Sequence, residues 1–321
     1  MGAPNKNDYS VDRKWAHHAL HERVKNALLT LPAYFKTETV ISGLQATDIF
    51  TLNDALGATI EHQVVATLNG IRSVWDPNDE YSEYYFTRQS QTFPDVLLCK
   101  PGVSGRSGIL LGIELKGWYI LAKEGEPSYR YKVSETACAP ADLIAIVPWA
   151  LSNVISGAPS VYEPYIESAA YTAAYRNYWW EHVRDSGSDK TIRCASGVGP
   201  YPVKSDKISD KPVSDSGNNF GRIARTGLMD NYIDNIKAMT LSGIQARYWL
   251  EFFRLFQDTK PDQDLAIAIK QFVISKRRDL EKLVSGEDDR IERMTTAILD
   301  KLEEVFGNES TSNKGDPKKN K

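Results

Sequence analysis

An α/β fold, with a central mixed sheet flanked by helices and helical elaborations at both ends, is what the sequence predicts. Three observations carry it. Four short strand-like runs lie between about residues 84 and 148, and the last, Asp142–Pro148, is almost wholly apolar, as a strand covered on both faces must be. Helical apolar spacing recurs before and after this block. The chain of 321 residues, 41% hydrophobic and 25% charged, is long enough to bury a substantial core and has the composition of an ordinary globular protein.

The elements follow in order. Trp15, Ala19, Leu20, Val24, Leu28 and Leu31 predict a helix over 12–31, with Ser10 or Asp12 as caps. Leu52, Leu56, Ile60 and Val64 predict a second helix over 52–68, stopped at Gly70. Strands are expected at 84–89 and 93–99, joined as a hairpin, then at 109–121 after a Gly- and Ser-rich loop, and at 142–148. Residues 160–183 are dense in tyrosine and tryptophan and read as a helix packed on the sheet. Residues 184–225 lose all apolar periodicity. Helices are expected at 228–257, 262–284 and 287–306, and a polar, Lys-rich tail at 307–321. The expected organisation is therefore a core at 1–183, a loop-rich segment at 184–225, a helical region at 226–306 packed on the core, and the tail at 307–321.

A net charge of −3 does not advertise a polyanion-binding protein, although an acidic whole can carry a basic cleft. Cys99, Cys138 and Cys194 are far apart and in no metal-ligand spacing, which fits a reducing cytoplasm. No apolar run approaches the length of a membrane span, and the polar start of the chain is not a signal peptide. His17 and His21 have ligand spacing on a helix but lack the accompanying glutamate, so a zinc site there is disfavoured. No Gly-rich phosphate loop is present, so no nucleotide cofactor is expected.

The chemistry concentrates in Thr92-Phe-Pro-Asp95 and Gly112-Ile-Glu-Leu-Lys116. Strand alternation puts Glu114 and Lys116 on one face and Leu115 on the other. Charged groups placed on a core strand are costly unless something there needs them, and a divalent metal with a scissile phosphate meets that need. Mg²⁺ suits carboxylate, carbonyl and water oxygens. Asp95 and Glu114 on adjacent strands are candidate ligands, the Leu115 carbonyl is a further one, and Lys116 is placed to act on water and phosphate.

Pro94-Asp95, an eighteen-residue interval, and Glu114-Leu-Lys116, set in a helix, hairpin, strand order, resemble the PD-(D/E)xK nuclease superfamily. The resemblance covers roughly residues 52–150. It implies a restriction-endonuclease-like core, Asp95 and Glu114 as metal ligands, Lys116 as the catalytic lysine, and Glu61 on the preceding helix as a further acidic residue. One departure stands out: the family core carries a helix between its third and fourth strands. Here Gly117–Ala141 contains Gly125, Pro127 and Pro140 and predicts at most a short turn at 134–138.

Among the superfamily's branches, size and the lack of a motor motif point to a Mg²⁺-dependent Type II restriction endonuclease acting on double-stranded DNA as a homodimer. A repair or junction-selective nuclease, or an inactive DNA-binding protein on the same core, are the alternatives. Residues 184–225 carry eight Lys or Arg against five acids. Within them Asn218, Asn219, Arg222 and Arg225 form a set able to read adenine and guanine, or arginines that merely pair with carboxylates. Lys123, Arg130 and Lys132 flank the predicted catalytic strand and could track phosphates, or form a solvated face.

Overall fold

The computed structural model describes residues 2–46, 48–89, 92–103, 105–184, 199–203, 206, 221–256 and 262–284. The expected helix at 287–306, the tail, Cys194, Asn218 and Asn219 lie outside the described residues, as does most of 184–225. The chain forms two compact units, Met1–Leu250 and Glu251–Lys321.

In the first unit α1 (His18–Leu29) buries Leu20, Val24 and Leu28. It starts later than the apolar spacing predicted. Residues 12–17 are turns instead, in which Asp12 accepts from the backbone of Lys14 and Trp15. A short α2 (Leu31–Tyr34) follows, then α3 (Leu52–Gly70) and the short α4 (Arg72–Trp75). Strands β1 (Tyr85–Arg88), β2 (Val96–Cys99) and β3 (Ile109–Tyr119) form an antiparallel meander. The chain then crosses over, and β4 (Leu143–Leu151) pairs parallel to β3, with Glu114 opposite Ile144 and Lys116 opposite Ile146.

The crossover contains no α-helix. Its one regular turn is a 3₁₀ turn at Glu135–Ala137, where the sequence predicted it. All nine residues of β4 are buried. This follows from its position, with β3 on one side and β5 (Pro159–Val161) and β6 (Tyr165–Ser168) on the other, both antiparallel to it.

The aromatic segment is thus not one helix. Residues 159–168 form the edge ribbon, and only Ala169–Tyr178 is the α-helix α5, capped by the Ser168 side chain and continued by a π turn to Val183. Pro164 accounts for the difference, since within a helix over 160–183 it would remove an interior hydrogen bond, whereas here it lies in the link between β5 and β6.

The expected helix at 228–257 is also interrupted. Between α6 (Asp230–Ala238) and α7 (Ala246–Arg254) lies a hairpin of β7 (Thr240–Leu241) and β8 (Ile244–Gln245). Its turn residues Ser242 and Gly243 both have positive φ, as a two-residue hairpin of this twist requires. The division between units falls within α7. In the second unit α8 (Asp262–Val284) spans its predicted range, and Phe272 packs on Phe252.

Candidate active site

Strand β3 outlasts its neighbour β2. Pairing between them ends at Val96 opposite Ile113, yet β3 runs on to Tyr119. The N–H groups of residues 115, 117 and 119 leave by the edge that β2 has vacated, because alternate residues of a strand bond to the same side. Three side chains take them. Leu115 N–H donates to Asp95 Oδ2 (3.2 Å), Gly117 N–H to Glu61 Oε1 (3.2 Å), and Tyr119 N–H to Asn53 Oδ1 (3.1 Å). Asn53, Gly57 and Glu61 are spaced by four on α3 and so share one stripe. The stripe closes on the strand at Gly117, where a Cβ would lie in van der Waals contact, 3.6 Å from the Gly57 carbonyl oxygen.

Glu61 therefore belongs to the cluster, although its place beside the apolar stripe of α3 gave no such orientation. Its carboxylate is nearly buried and lies 3.1 Å from Lys116 Nζ and 3.8 Å from Arg88 Nη2. Glu114 and Lys116 share one face of β3, as alternation predicts. Glu114 Oε2 accepts from the Asp95 N–H (3.2 Å) and Oε1 from the Tyr129 hydroxyl (2.5 Å). Asp95, Glu114, Lys116 and Glu61 thus converge at one end of β3.

The electrostatics are those of an over-filled acidic site. Burial first, and then the Glu61 charge, raise the Asp95 carboxyl to about 6. Burial first, and then Asp95, raise Glu114 to about 8. Hydrogen bonds from Leu115 N–H and Tyr129, with Lys116 nearby, pull the other way and do not prevail. The Tyr129 phenol is pushed up by burial and by Glu114, so it remains a donor.

The two halves of the motif also lock mechanically. A Cβ on Gly112 would stand 2.2 Å from Pro94 Cγ and 2.9 Å from Asp142 Oδ1. Asp142 is buried, accepts from Gly112 N–H and Ala139 N–H (both 2.7 Å), and receives the Tyr201 hydroxyl (3.1 Å). Gly112→Ala is expected to destabilise the protein by about 1–3 kcal/mol through overpacking against a rigid ring. Thermal denaturation checks this, and an unchanged midpoint would mean that Pro94 can move aside.

The predicted DNA-contacting residues come together in part. Residues 129–133 form an extended strap whose burial alternates: Tyr131 and Val133 point inward, Arg130 and Lys132 outward. The strap pairs with the segment at 221–222 through an Arg130–Arg222 bridge and a Tyr131 N–H to Gly221 carbonyl bond of 2.8 Å. Arg225 is exposed and binds Glu126 (2.8 Å), whereas Arg222 is only 6% exposed and lies 3.6 Å from the same carboxylate. Lys123 is exposed on the crossover. Carboxylate pairing, one of the two readings the sequence allowed for the arginines, is thus what both make in this conformation.

Comparison with protein-family models, with curated proteins and with solved structures finds no match to this chain. What the site can do rests on its own geometry. Among the described residues no group of three His, Cys, Asp or Glu side chains is arranged to hold a metal ion. A hard cation here would draw on two carboxylates, Asp95 and Glu114, and on the Leu115 carbonyl, which leaves β3 by the same edge as the Leu115 N–H. Solvent would complete the shell, as Mg²⁺ prefers. The donor chemistry fits, because burial, and after it the charge of a neighbouring carboxylate, raises both carboxyl groups, and a divalent cation would offset both effects.

Residues that sequence reading missed are Asn53, Arg88, Tyr129, Asp142 and Arg176. Tyr129 carried a usable signal: Tyr129-Arg-Tyr-Lys-Val133 alternates like a strand, which would have put Tyr129 on the inner side. Among the described residues no helix is long and apolar enough to cross a membrane. Cys99 and Cys138 are free thiols.

Proposed function

We propose that this chain is a Mg²⁺-dependent endodeoxyribonuclease of the PD-(D/E)xK type, a Type II restriction enzyme that cuts double-stranded DNA at a short specific sequence as a homodimer. One observation carries the reading: Asp95, Glu114, Glu61 and Lys116 meet at the open edge of β3, in the strand order of a meander followed by a parallel crossover strand. In this reading Asp95 Oδ and Glu114 Oε hold the metal together with the Leu115 carbonyl. When bound, Mg²⁺ supplies positive charge to the non-bridging phosphate oxygens and lowers the pKa of water.

The chain's own residues do the rest. Lys116 Nζ, half-exposed and held 3.1 Å from Glu61, presents a positive charge to the phosphate and to the attacking water. Glu61 orients that ammonium while its other bond fixes it to the β3 backbone. Water adds to phosphorus, the P–O3′ bond breaks, and the leaving oxygen takes up a proton. The strap's outward Arg130 and Lys132 offer charge to the DNA backbone, and Arg225 can exchange Glu126 for a phosphate or a guanine edge.

The test is incubation of purified protein with long unmethylated duplex DNA in Mg²⁺ or in EDTA. Discrete fragments are expected in Mg²⁺ alone, and Arg225→Ala should abolish specific cutting with the fold intact. Cleavage of branched DNA with intact duplex untouched would assign a junction-selective nuclease. Duplex binding without cleavage in any divalent metal would leave a DNA-binding protein on a nuclease-like core.

A further inference from the structure

The crossover between β3 and β4 lacks a helix, yet its strap at 129–133 is held from two sides. The Arg176 guanidinium on α5 is completely buried and donates through Nη1 to the carbonyls of Tyr131 (2.7 Å) and Val133 (2.8 Å). From the other side the Gly221 carbonyl accepts the Tyr131 N–H at 2.8 Å. Gly221 has φ 77°, and a Cβ there would come within 2.8 Å of the Tyr131 carbonyl oxygen, so only glycine permits this approach. The Tyr131 hydroxyl is bound in turn to the Ala169 carbonyl (3.2 Å). Arg176 Nε and Nη2 donate to Asn177 Oδ1 (3.1 and 2.9 Å), and burying the guanidinium so that Nη1 can hold two carbonyls two residues apart is a costly device for a surface loop. What it fixes is the residue next to the site, Tyr129.

We propose that Tyr129 is a positioning residue of the metal centre, whose phenol sets the rotamer of Glu114 so that its carboxylate stands ready beside Asp95. The proposal rests on the metal-dependent reading above. Among the described residues each oxygen of Glu114 has one hydrogen-bond partner, the Tyr129 hydroxyl on Oε1 and the Asp95 N–H on Oε2. Each oxygen keeps a further lone pair for a ligand. Without the phenol, Glu114 keeps only the Asp95 N–H and can rotate away from Asp95, which like-charge repulsion favours. Partners of metal-ligating carboxylates commonly change affinity by about 10- to 100-fold when removed.

The experiment measures Mn²⁺ binding, from the electron paramagnetic resonance signal of the free ion, for wild type, Tyr129→Phe and Asp95→Asn. Wild type should bind, Asp95→Asn should not, and Tyr129→Phe should bind about 10- to 100-fold more weakly while keeping the wild-type circular dichroism spectrum. Equal affinity in Tyr129→Phe and wild type overturns the positioning role and leaves the metal reading standing. No binding by wild type, or undiminished binding by Asp95→Asn, overturns the metal reading and this role with it. A second readout needs no substitution. Adding Mg²⁺ to wild type should perturb a tyrosine band in the near-ultraviolet difference spectrum, and a flat spectrum counts against the phenol.

Discussion

Lys116→Ala should lower the single-turnover rate of DNA cleavage by about 10²- to 10³-fold, the usual loss when one preorganised charge is removed from a developing oxyanion. The fold should survive. The Lys116 side chain is 42% exposed and its pair with Glu61 is of the half-solvated kind, which contributes little to stability. Glu61 keeps its bond to the Gly117 N–H and its Arg88 neighbour, so the edge of β3 stays capped. Mn²⁺ affinity should fall little, since Lys116 is not a ligand in the proposed site. The discriminating result is therefore a split: rate lost, metal binding and melting temperature kept. Cleavage within about twofold of wild type would remove Lys116 from the chemistry, and with it the main support for a phosphodiester hydrolase.

The second large effect concerns pH and metal together. Asp95 and Glu114 are both raised above the ordinary carboxylate range, chiefly by burial. A raised carboxyl binds its proton more tightly in the folded state than in the unfolded one. Its stabilising contribution is then present at acid pH and lost as pH rises through the folded value. The two groups titrate as a pair, and the loss should run from about pH 4 to about 8.

Metal-free protein is accordingly expected to lose several degrees of melting temperature across this range from these two groups. Mg²⁺ should restore more at pH 8 than at pH 5.5, because it binds the ionised form. Asp95→Asn keeps an oxygen for the Leu115 N–H and removes a charge. It should raise the metal-free melting temperature at pH 8 and abolish the Mg²⁺ increment. A Mg²⁺ increment equal at both pH values, or retained in Asp95→Asn, would show that the cation binds elsewhere.

The meander and β4 were legible because strand alternation and an unbroken apolar run are local properties of sequence. So was the shared face of Glu114 and Lys116, since residues two apart on a strand point to one side, while Asp95 was placed beside them by the adjacent strand. Glu61 was only half legible. The stripe of α3 is read from Ile60 and Val64, and what turns Glu61 into the site is the length mismatch between β2 and β3. That is a tertiary fact.

The aromatic segment misled because its tyrosines satisfy helical and strand periods alike, and Pro164, five residues into the expected helix, was the deciding residue. Ser242-Gly243 was a plain turn signal inside an apolar pattern strong enough to hide it. The arginines at 222 and 225 were legible as basic residues, but their common partner Glu126 lies about a hundred positions away, at a distance no pattern reaches.

The vacated edge of β3 has a meaning apart from chemistry. A strand that runs past its neighbour offers a row of free N–H groups, and another chain's strand can add to such a row and begin aggregation. Here Asp95, Glu61 and Asn53 occupy three successive donors with acceptors of the chain's own. Two of the three are the carboxylates of the candidate site, so the groups that would serve a substrate also keep this edge from recruiting a second copy. Alanine at 61 or 95 would open that edge as well as empty the site, whereas glutamine or asparagine would empty the site alone. Loss of solubility in the alanine variants, set against soluble amide variants, would mark the difference.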